Sequence, residues 1–468
     1  MHTCPKSGFL NDMRPKLASI IETLHKNYDY LSVLGTDSFG LAYSATPGEL
    51  RASDSRWFER GFVFRAQKKG RIAEYACTCL PAEAARIQEK LDTLLAASDA
   101  AIAYPAIPDE QASKEFFGTA EREPFSADTE TVLATMAKIR ESFAACSKEI
   151  VNASVMSEFM RVSKLFISPN RTLEQAFYWS QGYLVGVAKR GEVMKEIYTS
   201  FSGLKGLELL DEIEAEVAKT GAVLLELLGA GSIEPGEYDV IMDPDVAGTL
   251  AHEAFGHGVE MDMFVKNRAR AAQYIGKPVA SPIVQMFDGA AAAKHCGSYL
   301  FDDEGQFATS TQIIKDGILQ TGISDTLSAL KLGTKPTGNG RRQAFDHKAY
   351  ARMTNTFFSP GTHSMEDLMA GVKHGWLLQK MNSGMEDPKN WGIQLVVLIG
   401  REIRDGKLTG KIVSPVICSG YVPDVLSNIT MLSKDFELSG SGFCGKGYKE
   451  YVKVSAGGPY VKTRMRLG

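Results

Sequence analysis

Gly229-Ala230-Gly231 divides a chain of 468 residues into two parts of different character. A chain of this length exceeds what a single hydrophobic core normally supports, so two domains of about 200 residues each are expected. The first part combines helical and strand-like spacing, whereas the second is richer in glycine and in short alternating segments. The sequence predicts an α+β protein with a mixed N-terminal domain at 1–228 and a mostly antiparallel β C-terminal domain at 229–468.

Hydrophobic spacing and turn residues predict the individual elements. In the first part we expect strands at 29–45, 57–66 and 71–80, and helices at 9–27, 82–97, 128–150 and 205–228. In the second part Asp243-Pro244 is a strong helix start, because aspartate caps a first turn and proline fits its first position. Around this central helix we expect one more helix near 364–380 and strands at 236–242, 281–287, 308–314, 318–324, 393–399, 402–404 and 411–417.

Composition excludes several classes of function. The net charge of −4 gives no reason to expect nucleic-acid binding, which would require a basic patch. No apolar run approaches the ~20 residues that span a bilayer, and the N-terminus has no apolar export segment. The seven cysteines follow no disulfide framework, which indicates reduced thiols. We therefore expect a cytoplasmic protein that binds neither nucleic acid nor membrane.

Two histidines, His252 and His257, enclose Glu253 in the run His-Glu-Ala-Phe-Gly-His. The common H-E-x-x-H signature places its histidines four apart on one helix face, where they bind zinc beside a glutamate base. Here the spacing is five, and positions i and i+5 lie roughly 140° apart on a regular helix. A shared metal ion therefore requires the helix to bulge or end between the histidines, most easily at Gly256.

A catalytic zinc usually has three protein ligands, so a third residue is required. Glu260, three residues after His257, would lie one turn away if the helix continued, and Asp262 is a weaker local candidate. Cys444 lies in the glycine-rich segment 439–447, where nearby Lys446 would favour its thiolate. The residues alone leave Glu260 and Cys444 as equal candidates.

Five blocks of the second part resemble the TldD family of metalloproteases, within the TldD/PmbA superfamily. They are HEAFGHGVEMD at 252–262, GSYLFDDEG at 297–305, PTGNGRR at 336–342, RMTNT at 352–356 and FCGK at 443–446. The blocks follow one another in family order through the whole C-terminal half, and together they are highly specific. The first half is similar mainly in its general layout.

The resemblance implies a zinc-dependent peptidase that acts on unfolded or extended peptides, as a homodimer or with a PmbA-type (TldE-type) subunit around an enclosed chamber. Its zinc ligands would be His252, His257 and Cys444, with Glu253 as general base and Glu260 behind the ligands. The segment 382–387 departs from a glycine-rich segment that is frequent in the family, which bears on substrate preference and not on the metal.

Two of these blocks also contain candidate substrate contacts. Arg341 and Arg342, beside Asn339 in a flexible segment, could hold a peptide carboxylate, although a solvated turn explains the pattern equally well. The alternating segment 352–356, with Asn355, could form a strand along the cleft to which an extended substrate adds. The acidic residues at 302–304 are expected to form a capped turn and not a second cation site.

Two other functions fit part of the pattern. Peptide deformylase also combines two histidines, a cysteine and a helix glutamate, but it has a histidine spacing of four and a far shorter chain. A non-catalytic, peptide-binding subunit of the PmbA type would lack the metal site. The presence of all four candidate residues favours the enzyme.

Overall fold

The computed structural model describes residues 1–99, 102–440, 442–447 and 450–468. Among them the N-terminal half contains helices α1 to α5, at Gly8–Leu24, Ala84–Ala97, Thr129–Ala145, Leu209–Ala215 and Val217–Leu227. Its strands β1 to β10 are His2–Thr3, Tyr30–Ala45, Leu50–Asp54, Glu59–Lys68, Arg71–Cys77, Ala112–Phe117, Thr119–Ala120, Ile150–Ile167, Arg171–Arg190 and Val193–Gly203. The predicted elements are present here, with the helix at 205–228 divided into two at Glu216.

The N-terminal half is built on an eight-stranded sheet in the order β10-β9-β8-β2-β4-β5, to which β3 and β6 add. All its pairs are antiparallel except β6 with β9. Helices α3, α4 and α5 bury residues such as Phe143, Ile213 and Leu224 against this sheet, and α1 and α2 cover another part of it. Each of these helices buries an apolar stripe against the sheet, and this is why the helical spacing of apolar residues predicted them correctly.

The C-terminal half contains α6 to α10, at Pro244–Phe255, Met261–Val265, Thr326–Leu332, Met365–Ala370 and Val422–Ser427. Its strands β11 to β25 are Gly236–Met242, Met286–Asp288, Thr311–Lys315, Ile318–Leu319, Gly340–Arg341, Tyr350–Ala351, Asn355–Phe358, His374–Glu386, Gly392–Arg404, Lys407–Val413, Val416–Tyr421, Met431–Ser439, Phe443–Lys446, Glu450–Lys453 and Ser455–Leu467. The chain is thus a mixed α and β protein, as predicted.

Most C-terminal strands form an eleven-stranded sheet in the order β11-β18-β19-β21-β25-β17-β12-β13-β14, with β20 and β22 at its side. A further pairing of β11 with β25 closes five of these strands into a ring. Helix α6 packs on β25 so closely that a Cβ at Gly248 would lie 2.4 Å from the backbone nitrogen of Gly457. The residues of α6 are mostly buried, which makes it the central helix that the sequence predicted.

The predicted helix at 364–380 is wrong beyond Ala370. A capping box of Ser364 and Asp367 starts α9, but the helix ends at Ala370 with Gly371 as its C-cap, and the chain continues as β18. The apolar run in β18 is buried between strands, and a short apolar run of this kind has no periodicity that separates a strand from a helix. The predicted strands 393–399 and 402–404 are one strand, β19.

Across the described ranges, no helix is long and apolar enough to cross a membrane.

Candidate metal centre

Helix α6 ends between the two histidines of the His-Glu-Ala-Phe-Gly-His run. Asp243 caps its start by accepting a hydrogen bond from the Val246 nitrogen at 2.9 Å. The α-helix runs to Phe255, Gly256 forms its C-cap, and a 3-10 turn begins at His257. The predicted helix end at Gly256 is confirmed, and it turns the second histidine toward the first.

Three side chains meet at this helix end: His252, His257 and Cys444. One ligand atom from each lies within 4.8 Å of the others, and the Sγ of Cys444 is 3.2 Å from Nε2 of His257. The two imidazole rings are perpendicular, with centroids 5.1 Å apart. Zinc bonds of about 2.0–2.3 Å to nitrogen and sulfur give ligand separations of roughly 3.3–3.6 Å in a tetrahedron, so the arrangement fits zinc with modest adjustment.

Glu260 lies behind the ligands and is not part of the cluster. It is 1% exposed, and its Oε2 is 3.2 Å from Nδ1 of His257, on the opposite side of the ring from Cys444. Lys446 at 3.1 Å and Arg352 at 3.3 Å complete its ion pairs. Burial raises the pKa of Glu260, but Lys446, His257 and Arg352 outweigh it and hold the pKa well below its ordinary value. A carboxylate in this place fixes the histidine tautomer that presents Nε2.

Arg352 was not among the residues predicted for the metal site, although it belongs to one of the motif blocks. It is 1% exposed, and its Nη2 donates hydrogen bonds to the carbonyl oxygen and the Sγ of Cys444, at 2.7 and 3.1 Å. Burial raises the pKa of the Cys444 thiol, whereas His257 and His252 lower it, and the pKa lies well below 9.0. The surroundings therefore favour the thiolate, which is the form that binds metal.

Two further glutamates lie close to the cluster. A Cβ at Gly384 in β18 would lie 3.0 Å from Cγ of Glu253, so the candidate base packs against this strand. Glu386, at the end of β18, has two buried carboxylate oxygens without a hydrogen-bond partner among the described residues. Burial raises the pKa of Glu386 to about 9, with His257 opposing the rise and Glu253 adding to it. Glu386 lies in the segment that departs from the family pattern.

The candidate substrate contacts Asn339 and Asn355 are inaccessible, each with 0% exposure. Asn339 donates to Asp288 at 2.8 Å, and Asn355 donates to the Ser298 hydroxyl at 2.9 Å. We assign both amides a structural role, because their hydrogen-bonding groups are already paired inside the protein.

The two candidate arginines differ. Arg342 is 8% exposed and forms an ion pair with Glu74 of β5, so it joins the two halves of the chain and does not face solvent. Arg341 is half-buried, donates to the Met353 carbonyl at 2.7 Å and lines a cavity of about 100 Å³ behind the β23–β24 hairpin. Arg342 lines the same cavity, but Arg341 alone among the four candidates keeps part of its surface exposed.

The strand that follows Arg352 does not offer an edge to substrate. β17 pairs with β12 on one side and with β25 on the other, which contradicts the predicted strand addition there. β18 is different: β11 pairs with it only from Gly375 to Leu378, and no described strand covers the same edge from Met381 to Glu386. Within this open edge the Met381 nitrogen already donates to Asp245 and its carbonyl oxygen accepts from Tyr198, at 2.8 Å each. Glu253 packs against a face of the same strand, at Gly384.

A cavity of about 790 Å³ begins beside the same edge. Met381 and Asn382 of β18 line it on one side, and residues of β2, β3, β8, β9 and β10 line most of the rest, including Tyr43, Met156, Tyr183, Ile197 and Tyr198.

The acidic residues at 302–304 do not reach this space. They are buried and bonded to backbone nitrogens or to cations, in agreement with the predicted turn.

Comparison with known proteins identifies the chain. Residues 235–466 match the family model of the PmbA/TldA metallopeptidase C-terminal domain. A metalloprotease of Methanothermobacter thermautotrophicus is 31% identical over 321 residues, which cover 68% of this chain and 70% of the relative. The chain belongs to the TldD/PmbA family. A metalloprotease of Synechocystis is 35% identical over 66% of both chains, and the zinc metalloprotease TldD homolog of Saccharolobus solfataricus is 32% identical over 60% of this chain and 63% of that protein.

Two solved structures share the fold over nearly the whole chain. A Thermotoga maritima protein named for modulation of a DNA gyrase superposes with a TM-score of 0.79 at 18% identity, over 98% of this chain and 100% of its own. TldE from Thermococcus kodakarensis superposes with a TM-score of 0.75 at 17% identity, over 96% and 99%. At these identities the likeness concerns the fold alone. Relatives in the family carry metalloprotease names, so a metal-dependent protease activity is a family property.

Proposed function

We propose that this chain is a zinc metallopeptidase of the TldD type that hydrolyses unfolded or extended peptides. The observation that carries the proposal is the convergence of His252, His257 and Cys444 within 4.8 Å, at a helix end that their spacing requires. Two imidazoles and a thiolate are a donor set that suits zinc. The named zinc metalloprotease among the relatives supports the same metal.

Zinc bound there would supply Lewis acidity and an acidified water molecule. The chain's own residues provide the rest. Glu253, next to His252 on α6, would accept a proton from the attacking water and deliver it to the leaving amine. Glu260 would hold His257 in the tautomer that presents Nε2, and Arg352 would hold the Cys444 thiolate.

The edge of β18 from Ser383 to Glu386 would give an extended peptide a place next to the strand on which Glu253 packs. Main-chain hydrogen bonds to a strand edge recognise a peptide by its extended backbone and not by its sequence, and a folded substrate does not offer them. Along the strand, at about 3.3 Å per residue, Asn382 at the cavity lies about 7 Å from Gly384 at Glu253. The 790 Å³ cavity would therefore receive side chains about two residues from the scissile bond.

The assembly is proposed to be a homodimer, or a heterodimer with a PmbA-type or TldE-type subunit, since TldE has the same fold. We propose a domain boundary near residue 228, just before the segment that the family model matches. We also propose a cytoplasmic location, because all seven cysteines are free and a metal-binding Cys444 must stay reduced.

The substitution Glu253→Gln tests the reaction. We expect it to reduce cleavage of an unfolded protein such as casein by at least about 100-fold, because the base is lost, and to leave zinc near one ion per chain. His257→Ala is the matched variant and should lose the zinc as well as the activity. Unchanged proteolysis by Glu253→Gln would refute the role of Glu253. A wild-type protein that binds no zinc would instead favour a non-catalytic, peptide-binding subunit.

A further inference from the structure

Cys444 lies on a hairpin that belongs to neither large sheet. Among the described residues β23 and β24 pair only with each other, so the position of β23 relative to α6 depends on side-chain contacts as well as on the connection of β24 to β25. On the side of the C-terminal half, Arg352 donates to the carbonyl oxygens of Cys444 and Glu450, at 2.7 and 2.9 Å. Lys446 donates to the Ala351 carbonyl at 2.9 Å.

The other side of the hairpin rests on the N-terminal half. Phe443, the residue before Cys444, stacks on Trp57 with ring centroids 4.1 Å apart and an angle of 17°. Trp179 of β9 meets the same ring edge-on at 5.8 Å. Lys453, paired with Phe443 across the hairpin, places its ammonium 4.9 Å from the Phe443 ring and donates to Gln181 of β9.

We propose that Trp57 is a positioning residue for the metal ligand Cys444. Adjacent Cα atoms are about 3.8 Å apart, so a shift of Phe443 moves the Cys444 backbone with it. His252 and His257 are fixed by α6 and the turn after it. Cys444 is held by Arg352 on the side of the C-terminal half and, through Phe443, by Trp57 on the side of the N-terminal half, and we call these two contacts the clamp. The inference rests on the proposed zinc site, but it concerns how the N-terminal half completes that site.

The structure defines which property of Trp57 matters. Its indole nitrogen is buried and has no hydrogen-bond partner within the described part of the chain, so stacking is the contact through which it acts on Phe443. Trp57→Phe retains an aromatic face, and Trp57→Ala removes it. Phe58 is the matched control, because it is the next residue but is 57% exposed.

Two measurements on the full-length protein test the proposal. The first is the zinc dissociation constant against a competing chelator, which we expect Trp57→Ala to raise about 10- to 100-fold, as for other residues that orient ligands. Trp57→Phe and Phe58→Ala should remain close to wild type. The second is the rate at which a thiol reagent labels Cys444 in the metal-free protein, located by mass spectrometry. It should rise in Trp57→Ala only.

Cys418 is an internal reference for unfolding, because it is 0% exposed in the C-terminal core. Faster labelling of Cys444 with unchanged labelling of Cys418 supports the clamp. An unchanged zinc affinity and labelling rate in Trp57→Ala overturn it, and so does an equal effect of Phe58→Ala. If the labelling of Cys418 also becomes faster in Trp57→Ala, the variant Phe443→Leu is measured instead. It removes the same aromatic stack from the side of the hairpin, and it must also lower the zinc affinity if the proposal is correct. The labelling result stands even if wild-type protein binds no zinc, which would refute the proposed function separately.

Discussion

At Gly256 the backbone passes between two atoms that leave no room for a side chain. A Cβ there would lie 2.1 Å from the Met353 sulfur and 2.2 Å from the His252 carbonyl oxygen. The methionine end can move, but the carbonyl belongs to the backbone of a proposed ligand. The glycine is therefore required by the close approach that brings His257 back toward His252, five residues away.

Gly256→Ala should consequently damage both stability and metal binding. We expect the free energy of unfolding to fall by about 1–3 kcal/mol, as in other overpacked sites, and the zinc affinity to fall with it because His257 is displaced. Urea denaturation and chelator competition measure the two effects. Gly48→Ala is the control, since a Cβ at Gly48 meets nothing within 4 Å. A fully stable, fully metallated Gly256→Ala protein would contradict this account of the helix end.

At the scale of elements, the helix start, the helix end and most of the N-terminal elements could be predicted from the sequence. Asp243-Pro244 and Gly256 act through local backbone geometry, so the residues themselves contain the signal. The choice between Glu260 and Cys444 could not be made locally, because Cys444 is 187 positions from His257 along the chain. The interior position of β17 and the open edge of β18 depend on strands distant in sequence, and alternation does not show which neighbours a strand has.

The cap of α6 gives a prediction at the same scale. Asp243→Ala removes the acceptor of the Val246 and Lys380 nitrogens, and Asp128→Ala removes the equivalent cap of α3, far along the chain. Each should lower the free energy of unfolding, Asp243→Ala by about 1 kcal/mol. Only Asp243→Ala should weaken zinc binding, because α6 carries His252. Both variants are compared at pH 6, because burial raises the pKa of Asp243 to about 7. Below that pKa, replacing Asp243 with alanine removes little buried negative charge, so the difference in stability reports mainly the lost hydrogen bonds. Equal zinc affinity in both variants would refute the link.

At the scale of the whole molecule, several motif blocks that identify the family join the two halves of the chain. Arg342 pairs with Glu74, and Asp303 with Lys164. Gln175 and Arg171 of β9 donate to the carbonyls of Phe301 and Gly305, at 3.0 and 2.8 Å. Together with the Trp57–Phe443 stack, these contacts make the N-terminal sheet a support for the loops around the candidate metal centre. The arginines and acidic residues expected at a substrate site or turn thus mainly serve this interface.

Glu74→Gln tests that interface through its pH dependence. Glu74 accepts from Arg65 at 2.7 Å and from Arg342 at 2.9 Å. Burial raises the pKa of Glu74, but the two arginines outweigh it and lower the pKa to about 2 from an ordinary value of 4.5. A carboxyl with a lowered folded-state pKa stabilises the protein above pH 4.5 and loses that contribution as the pH falls toward 2.

Glu74→Gln should therefore lower the free energy of unfolding by about 2 kcal/mol at pH 7, the scale of hydrogen bonds to charged groups. The difference from wild type should shrink as urea denaturation is repeated from pH 5 down to pH 3. Glu237→Gln is the control, because its ion pair with Arg464 is exposed on both sides, at 70% and 54%, and such pairs contribute little. A Glu74→Gln deficit that is the same at pH 3 and pH 7 would show that the charge of Glu74 does not hold the two halves together.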